Sequence, residues 1–268
     1  MPAAASPPTD VFPTLLRYWR NTRGLSQQAL AESADISAKH ISFLETGRAK
    51  PSQPMVLRLG ATLDLSLRDQ NALLQTAGFS GAFAETETAA LDPAIQHALK
   101  MMMDHHEPFP LLVFDGAFDL VQANGAATRL LELLLGPSVA TERNILKMVF
   151  DPALLRPHIV EWEGVAQMLL IRLQRDALHR RRDTKLSQLM STLCAFPGVP
   201  KEWRTPNLQG PATPTFSVQF EHAGQRFSFL TTLTVFQAPQ DISLEELHIE
   251  SYFPLDEQTG NLCKALAY

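Results

Sequence analysis

Cysteine is scarce. Cys194 and Cys263 are the only two in 268 residues. Two thiols make neither a disulfide framework nor a zinc site, and a reducing cytoplasm is the expected setting. No run of about 18 apolar residues occurs, so no membrane-spanning helix is expected. The opening decapeptide, Met1 to Asp10, has no basic start and no apolar stretch, so no signal peptide is expected. Also lacking are a glycine-rich phosphate loop, a nucleophile elbow and a carboxylate pair at a catalytic spacing. No enzyme and no cofactor are therefore expected. His105-His106-Glu107 invites a metal reading, but adjacent histidines at a helix end point in different directions. Without a third spaced ligand, no metal is expected.

What is present is apolar material. Hydrophobic residues make up 45% and charged residues 19%, enough to bury cores and too apolar for a disordered chain. At about 150 residues per domain, the length suggests two domains. The net charge is −5, but it is unevenly spread. Residues 1–80 hold 8 Lys+Arg and 6 Asp+Glu; residues 81–268 hold 15 and 22. A mildly basic head on an acidic body fits one nucleic-acid-contacting module and one that avoids it.

Residues 1–11 read as a flexible tail. Residues 12–79 read as five short helices. Phe12, Leu15, Leu16 and Trp19 form one apolar stripe. Ser26, Ser37 and Ser52 are placed as N-caps, and Ser66 with Asp69 resembles a capping box. Gly24, Gly47 and Gly78 are the stops. Residues 80–91 read as a linker and 92–268 as a second domain. That domain begins with a helix over Pro93–His105. A hairpin over Leu111–Val121 is expected to turn at Asp115-Gly116, pairing Val113 with Phe118 and Leu111 with Leu120 on one core face. Helices follow from Gly125 to Leu193, one of them ending in the basic run Arg180-Arg181-Arg182. A Pro-rich loop, Pro197–Pro214, leads to strands Thr215–Glu221, Arg226–Phe236 and Leu247–Phe253. Phe227, Phe229, Leu233 and Val235 alternate on one face, as do Leu247, Ile249 and Phe253. The expected fold class is an all-α helix-turn-helix domain followed by an α+β domain with an antiparallel sheet. The second domain's element order resembles a PAS-like domain.

Residues 25–47 carry the sharpest pattern: a helix, a turn at Ala34-Asp35-Ile36, and a second helix. At 100° per residue, Ser37, Ile41, Leu44 and Glu45 cluster on one side of the second helix. Lys39, Ser42, Phe43 and Thr46 lie opposite, with Ala38 at the edge. Such a strip suits the major groove of double-stranded DNA. Lys39 reaches guanine or phosphate, Ser42 several bases, and Ala38 and Phe43 a thymine methyl. Ser37 and Gln27, at helix starts, and Arg48, beyond the second helix, are placed for the backbone. Taken singly, Lys39 and Ser42 read equally as solvated surface and Phe43 as packing; Glu45 reads as a structural hydrogen bonder. Leu25-Ser26-Gln27-Gln28-Ala29-Leu30-Ala31, Ile41 to Arg48 and Pro51-Ser52 resemble the XRE-type, lambda-repressor-like DNA-binding domain. Asp35 departs from the glycine frequent in that turn, and Asp tolerates the left-handed conformation better than most residues.

The resemblance continues. Leu73 to Phe79, His106-Glu107-Pro108-Phe109-Pro110, Ala123-Asn124, Asn144-Ile145-Leu146, Glu161 to Ala166, Pro239-Gln240-Asp241 and Tyr252 to Glu257 are similar to the MmyB-like transcriptional regulators. That resemblance implies a PAS-like C-terminal domain binding a small apolar ligand such as a fatty acid, in a DNA-binding regulator; helix-turn-helix readers mostly bind as dimers, so a homodimer is expected. Ligand contacts are expected from Met102, Phe114, Met168, Phe229 and Phe236, with Arg172, His105 and His106 as candidates for a carboxylate. The same Met and Phe residues also read as plain core. The residues equally allow a C-terminal domain that is a protein-interaction or dimerisation module without a small-molecule ligand.

Overall fold

The computed structural model describes residues 11–86, 92–136, 142–179, 184–204, 216–236 and 239–267. Residues 1–10 of the expected 1–11 tail, residues 87–91 of the linker, the Arg180–Arg182 run, residues 205–214 of the Pro-rich loop and Thr215 of the strand expected after it lie outside these, while Val11 opens the first helix. The chain divides into two compact units: residues 1–86 with 237–245, and residues 87–236 with 246–268.

In the first unit five helices follow one another: α1 (Val11–Thr22), α2 (Gln27–Ser33), α3 (Ala38–Glu45), α4 (Gln53–Thr62) and α5 (Leu67–Thr76). Ser26, Ser37, Ser52 and Ser66 each accept a bond from the backbone N–H three residues on. Each such cap is worth about 1 kcal/mol. The Ser66 hydroxyl also donates to the Asp69 carboxylate at 2.8 Å. Asp35 adopts φ 52° in the helix-turn-helix corner. The core gathers the α1 stripe with Leu30, Ile41, Leu44, Leu59, Leu73 and Leu74, all buried. A fully buried leucine or isoleucine contributes about 1.5–3 kcal/mol, so local signals and core agree on one arrangement.

The segment following Gly78 is not a free linker. Asn71 accepts from the Ala82 and Phe83 amides and donates to Phe83 O at 2.7 Å. Arg68 pairs with Glu85. Ala84 bridges Asp241, and Ile242 N donates to Ala84 O. Asp241 begins a short helix, α11 (Ile242–Glu245), whose Glu245 carboxylate accepts from Leu67 N at 2.9 Å. Residues 239–245, expected in the second domain, thus belong with the helical unit.

In the second unit α6 (Pro93–His106) precedes a five-stranded antiparallel sheet ordered β2-β1-β5-β4-β3. The strands are β1 (Leu111–Phe114), β2 (Leu120–Ala123), β3 (Phe216–His222), β4 (Gln225–Thr234) and β5 (His248–Pro254). Between β2 and β3 lie α7 (Gly125–Leu135), α8 (Ile145–Phe150), α9 (Trp162–His179) and α10 (Thr184–Leu193); α12 (Glu257–Leu266) closes the unit. The hairpin forms, but not in the expected register. Val113 pairs Gln122 and Phe114 pairs Leu120. The Asp115 carboxylate accepts from Ala117 N and Asp119 N, which closes a longer loop than a two-residue turn. Phe118 sits at φ 66°. Leu112, Phe114 and Phe118 therefore join the main core, instead of Leu111 and Val113 with Phe118. The alternation expected in β4 and β5 is also corrected at its ends. Phe227 and Phe229 are buried, whereas Leu233, Val235 and Phe253 are exposed.

Candidate functional site

The helix-turn-helix unit presents one polar strip. Ser37, Ala38, Lys39 and Arg48 are exposed, Ser42 and Phe43 half-buried, and Ile41 and Leu44 fully buried. Lys39 Nζ lies 5.6 Å from the Phe43 ring centre, a cation–π contact that holds the two together on the strip. Ser37 Oγ accepts from His40 N at 3.2 Å, so part of its capacity serves the cap. Gly47, at φ 71°, turns the chain after α3, and the Arg48 and Ala49 amides return to Phe43 O. This fixes where Arg48 leaves the helix.

Beneath the strip is Glu45, 2% exposed. Arg20 grips it twice, Nε to Oε1 at 2.6 Å and Nη2 to Oε2 at 3.0 Å, and Gln27 Nε2 donates to Oε2 at 2.8 Å. Arg17 donates to Glu45 O. Burial pushes the Glu45 carboxyl up, but the bonds from Arg20 and Gln27 and the charges of Arg20 and Arg17 outweigh it and hold the group below its ordinary value. Glu45 thus ties α1, α2 and α3 together, and Gln27 reaches the α2 N-terminus already bonded to it.

The second unit contains a cavity between the sheet and the helices that cover it. Phe114, Val218, Phe220, Glu250 and Tyr252 form the sheet wall; Ile145, Leu146 and Val149 come from α8, and Val165, Leu169 and Arg172 from α9. Phe118, Leu155 and Ile159 complete the lining. The unfilled space is about 500 Å³, mouth included. The space open to water-sized molecules holds only a few waters. Of the expected ligand residues, Phe114 and Arg172 line the cavity. Met102 lies on α6 and Met168 on α9, outside the lining. Phe229 is fully buried, its ring 6.4 Å from Phe220 and 5.8 Å from Tyr252, which leaves it no open face. Phe236 follows the end of β4, away from the lining. His105 is exposed and bonded to Met101 O, and His106 bonds Tyr252 O, so neither reaches the cavity.

Three polar groups stand among these apolar walls. The Arg172 guanidinium lies over Phe118 at 5.4 Å and Phe114 at 5.9 Å. Among the described residues it has no carboxylate at ion-pair distance. Burial pushes the Glu250 carboxyl up, partly offset by the Arg172 charge and by hydrogen bonds with Thr231 and Tyr252. Burial and the Glu250 charge drive the Tyr252 hydroxyl well above its ordinary value, so it stays protonated and donates. Alternation hid Glu250, because Ile249 on the other face of the same strand and Leu247 just before it are also buried. Phe118 is expected on the hairpin's core face and Ile145 stands only in a family-like motif, while Ile159 gives no local signal; all three meet the cavity through tertiary folding. Among the described residues, no group of three His, Cys, Asp or Glu is placed to hold a metal, and no helix is long and apolar enough to cross a membrane.

The family model described as helix-turn-helix matches residues 16–70. That for the MmyB-like transcription regulator ligand binding domain matches residues 95–266. No curated protein matches the chain. Among solved structures, the "Structure of an RNA-binding Light-Oxygen-Voltage Receptor" aligns at 13% identity with a TM-score of 0.29. The alignment covers 98% of this chain and 65% of that one. A helix-turn-helix joined to this ligand-binding domain makes the chain a DNA-binding transcription regulator, and it belongs to the MmyB-like family.

Proposed function

We propose that the helical unit reads operator DNA by placing α3 in the major groove. Ala38, Lys39, Ser42 and Phe43 meet base edges there, while Gln27, Ser37 and Arg48 meet the backbone. We further propose that the cavity takes an amphiphile with an alkyl chain and a carboxylate, a fatty acid, as effector, and that the protein acts as a homodimer on paired half-sites. The observation that carries the ligand reading is the cavity: eleven of its fourteen lining residues are apolar, and among the described residues no carboxylate lies at ion-pair distance from its one cation. An anionic head on Arg172 and a chain along the α8–α9 side match both features. The DNA reading rests on the exposed strip over the rigid Glu45 brace.

Mass spectrometry of the denatured full-length protein tests the ligand reading. A lipid carboxylate at about one per chain is expected, absent from a control protein. An empty cavity that stays empty after a panel of lipids is offered refutes it. Fluorescence anisotropy with operator DNA, with and without that lipid, tests the effector role. Equal affinity in both states refutes sensing and leaves DNA reading intact, because a ligand shifts an equilibrium only by its differential affinity.

A further inference from the structure

The polar end of the cavity holds more than a carboxylate anchor requires. Arg172 and Glu250 both line the same cavity, yet they stand beyond ion-pair distance of each other. Arg172 is seated on Phe114 and Phe118 instead. Glu250 stands on β5 between Leu233 of β4 and Leu112 of β1, its cross-strand partners. The titratable or charged groups facing it are Arg172 from α9, Tyr252, and the His248 imidazole two positions along the same face, stacked on Phe114 at 5.5 Å. Thr231 of β4 adds a hydroxyl.

Charge counting in this space constrains what can enter. With the cavity free, one guanidinium and one carboxylate balance. A ligand carboxylate arriving at Arg172 would leave two anions and one cation among apolar walls, and such an excess charge is costly to keep out of water. Two carboxyl groups that share one site lose one charge by taking a proton.

Resting on the fatty-acid reading above, we propose that ligand binding is coupled to uptake of one solvent proton by Glu250, so that the site is a proton-linked carboxylate receptor. The ligand carboxylate takes the guanidinium, and Glu250 becomes a neutral donor to it. Arg172, the ligand carboxylate and the protonated Glu250 together are again neutral. Glu250 is thus a specificity residue: it favours heads that can accept both from Arg172 and from a carboxylic acid. The burial that already raises the Glu250 carboxyl assists the step. The direction of the pH dependence follows. Where free Glu250 is ionised, each ligand bound takes up a proton, and affinity falls by as much as tenfold per pH unit. Below its titration in the free protein Glu250 already carries the proton, and the dependence vanishes.

The test is calorimetric titration of the delipidated full-length protein with dodecanoate between pH 6 and 9. Each pH is measured in two buffers of different ionisation enthalpy, with dodecanol as the uncharged probe. The expected result is uptake approaching one proton per dodecanoate at the alkaline end, and none for dodecanol. Glu250→Gln should flatten the pH slope, and Arg172→Gln should weaken dodecanoate more than dodecanol. Dodecanoate binding that depends on Arg172 but takes up no proton overturns the proposal while leaving the ligand reading standing. So does uptake that persists in Glu250→Gln, which would assign the proton to His248. No binding of dodecanoate or dodecanol overturns both readings. The two-buffer comparison on the unmodified protein reads the proton directly, so the result does not depend on the variants folding.

Discussion

Replacing Glu45 with Ala should unlatch the DNA-reading unit, and the structure bounds by how much. Both carboxylate oxygens are engaged, by Arg20 at 2.6 and 3.0 Å and by Gln27 at 2.8 Å. Removing one member of a buried pair costs about 3–5 kcal/mol, because the other charge is left without its partner. Arg20 is not stranded entirely. Its Nη1 still donates to Leu25 O at 2.7 Å and to Asn21 Oδ1 at 2.9 Å, and its side chain is 11% exposed. We therefore expect a loss of about 2–4 kcal/mol. Native-state hydrogen exchange reads this within the unit. The slowest amides of α1–α3 should exchange roughly 30- to 1,000-fold faster. The pH behaviour follows from the same carboxylate, whose folded value is depressed. Its contribution is complete above the unfolded carboxyl range near about 4.3 and is lost as pH falls through the folded value. Glu45→Ala should lack that step. Pairing Arg20→Met with Glu45→Leu should recover much of the stability, since apolar groups can replace a buried pair at little cost. A loss under about 1 kcal/mol in the single variant, or no recovery in the double one, would refute the view of Glu45 as the brace.

Other outcomes follow from the same geometry. Lys39→Ala and Arg48→Ala should leave stability within about 0.5 kcal/mol but weaken operator binding. If Arg48 meets a phosphate, Arg48→Ala lowers the slope of log affinity against log salt by about one, and an unchanged slope would rule that role out. Asp35→Gly should be no less stable than the native chain, whereas Asp35→Val should lose about 1–2 kcal/mol at φ 52° in urea denaturation. Leu169→Trp should fill the cavity, abolish dodecanoate uptake and cost about 1–3 kcal/mol from overpacking; unaltered uptake would place the ligand elsewhere. Glu245→Ala should speed amide exchange at the start of α5, where Leu67 N loses its acceptor, and unchanged exchange there would count against that cap.

The first unit was legible because its instructions are short-range. Each serine cap acts three residues ahead, Gly47 turns one corner with a positive φ, and the Phe12–Trp19 stripe repeats within two turns. Even Glu45 could be read as structural, from a helix that presents it beside Ile41 and Leu44. The second unit was legible in its order of elements and less so in its register. Asp115-Gly116 did mark a turn. Yet the Asp115 carboxylate bonds two amides, and Asn144, far along the chain, donates to Ala117 O and Asp119 Oδ1. A residue that remote acts with Asp115 to hold the longer loop. The cavity was legible only where a residue's chemistry was unusual for its place. Arg172 is a cation among the apolar positions of α9, and it does line the space. Softness alone did not locate Met102 or Met168, since a flexible thioether suits any irregular surface.

Residues 239–245 carry the argument one step further. They stand between two strands of the sheet, in a stretch whose Pro239 and polar residues read as a connection. Their place comes instead from partners outside the strands. Asp241 accepts from Ser243 N, Leu244 N and the Thr86 hydroxyl, Ile242 is buried and donates to Ala84 O, and Glu245 caps α5. None of these bonds has a periodicity, and the partners Ala84 and Thr86 sit in a segment that itself reads as linker. Two stretches that each lack a pattern define each other by pairing. Domain limits drawn from composition fail at such places, because composition registers whether a stretch could fold alone and is silent on whether a second stretch completes it.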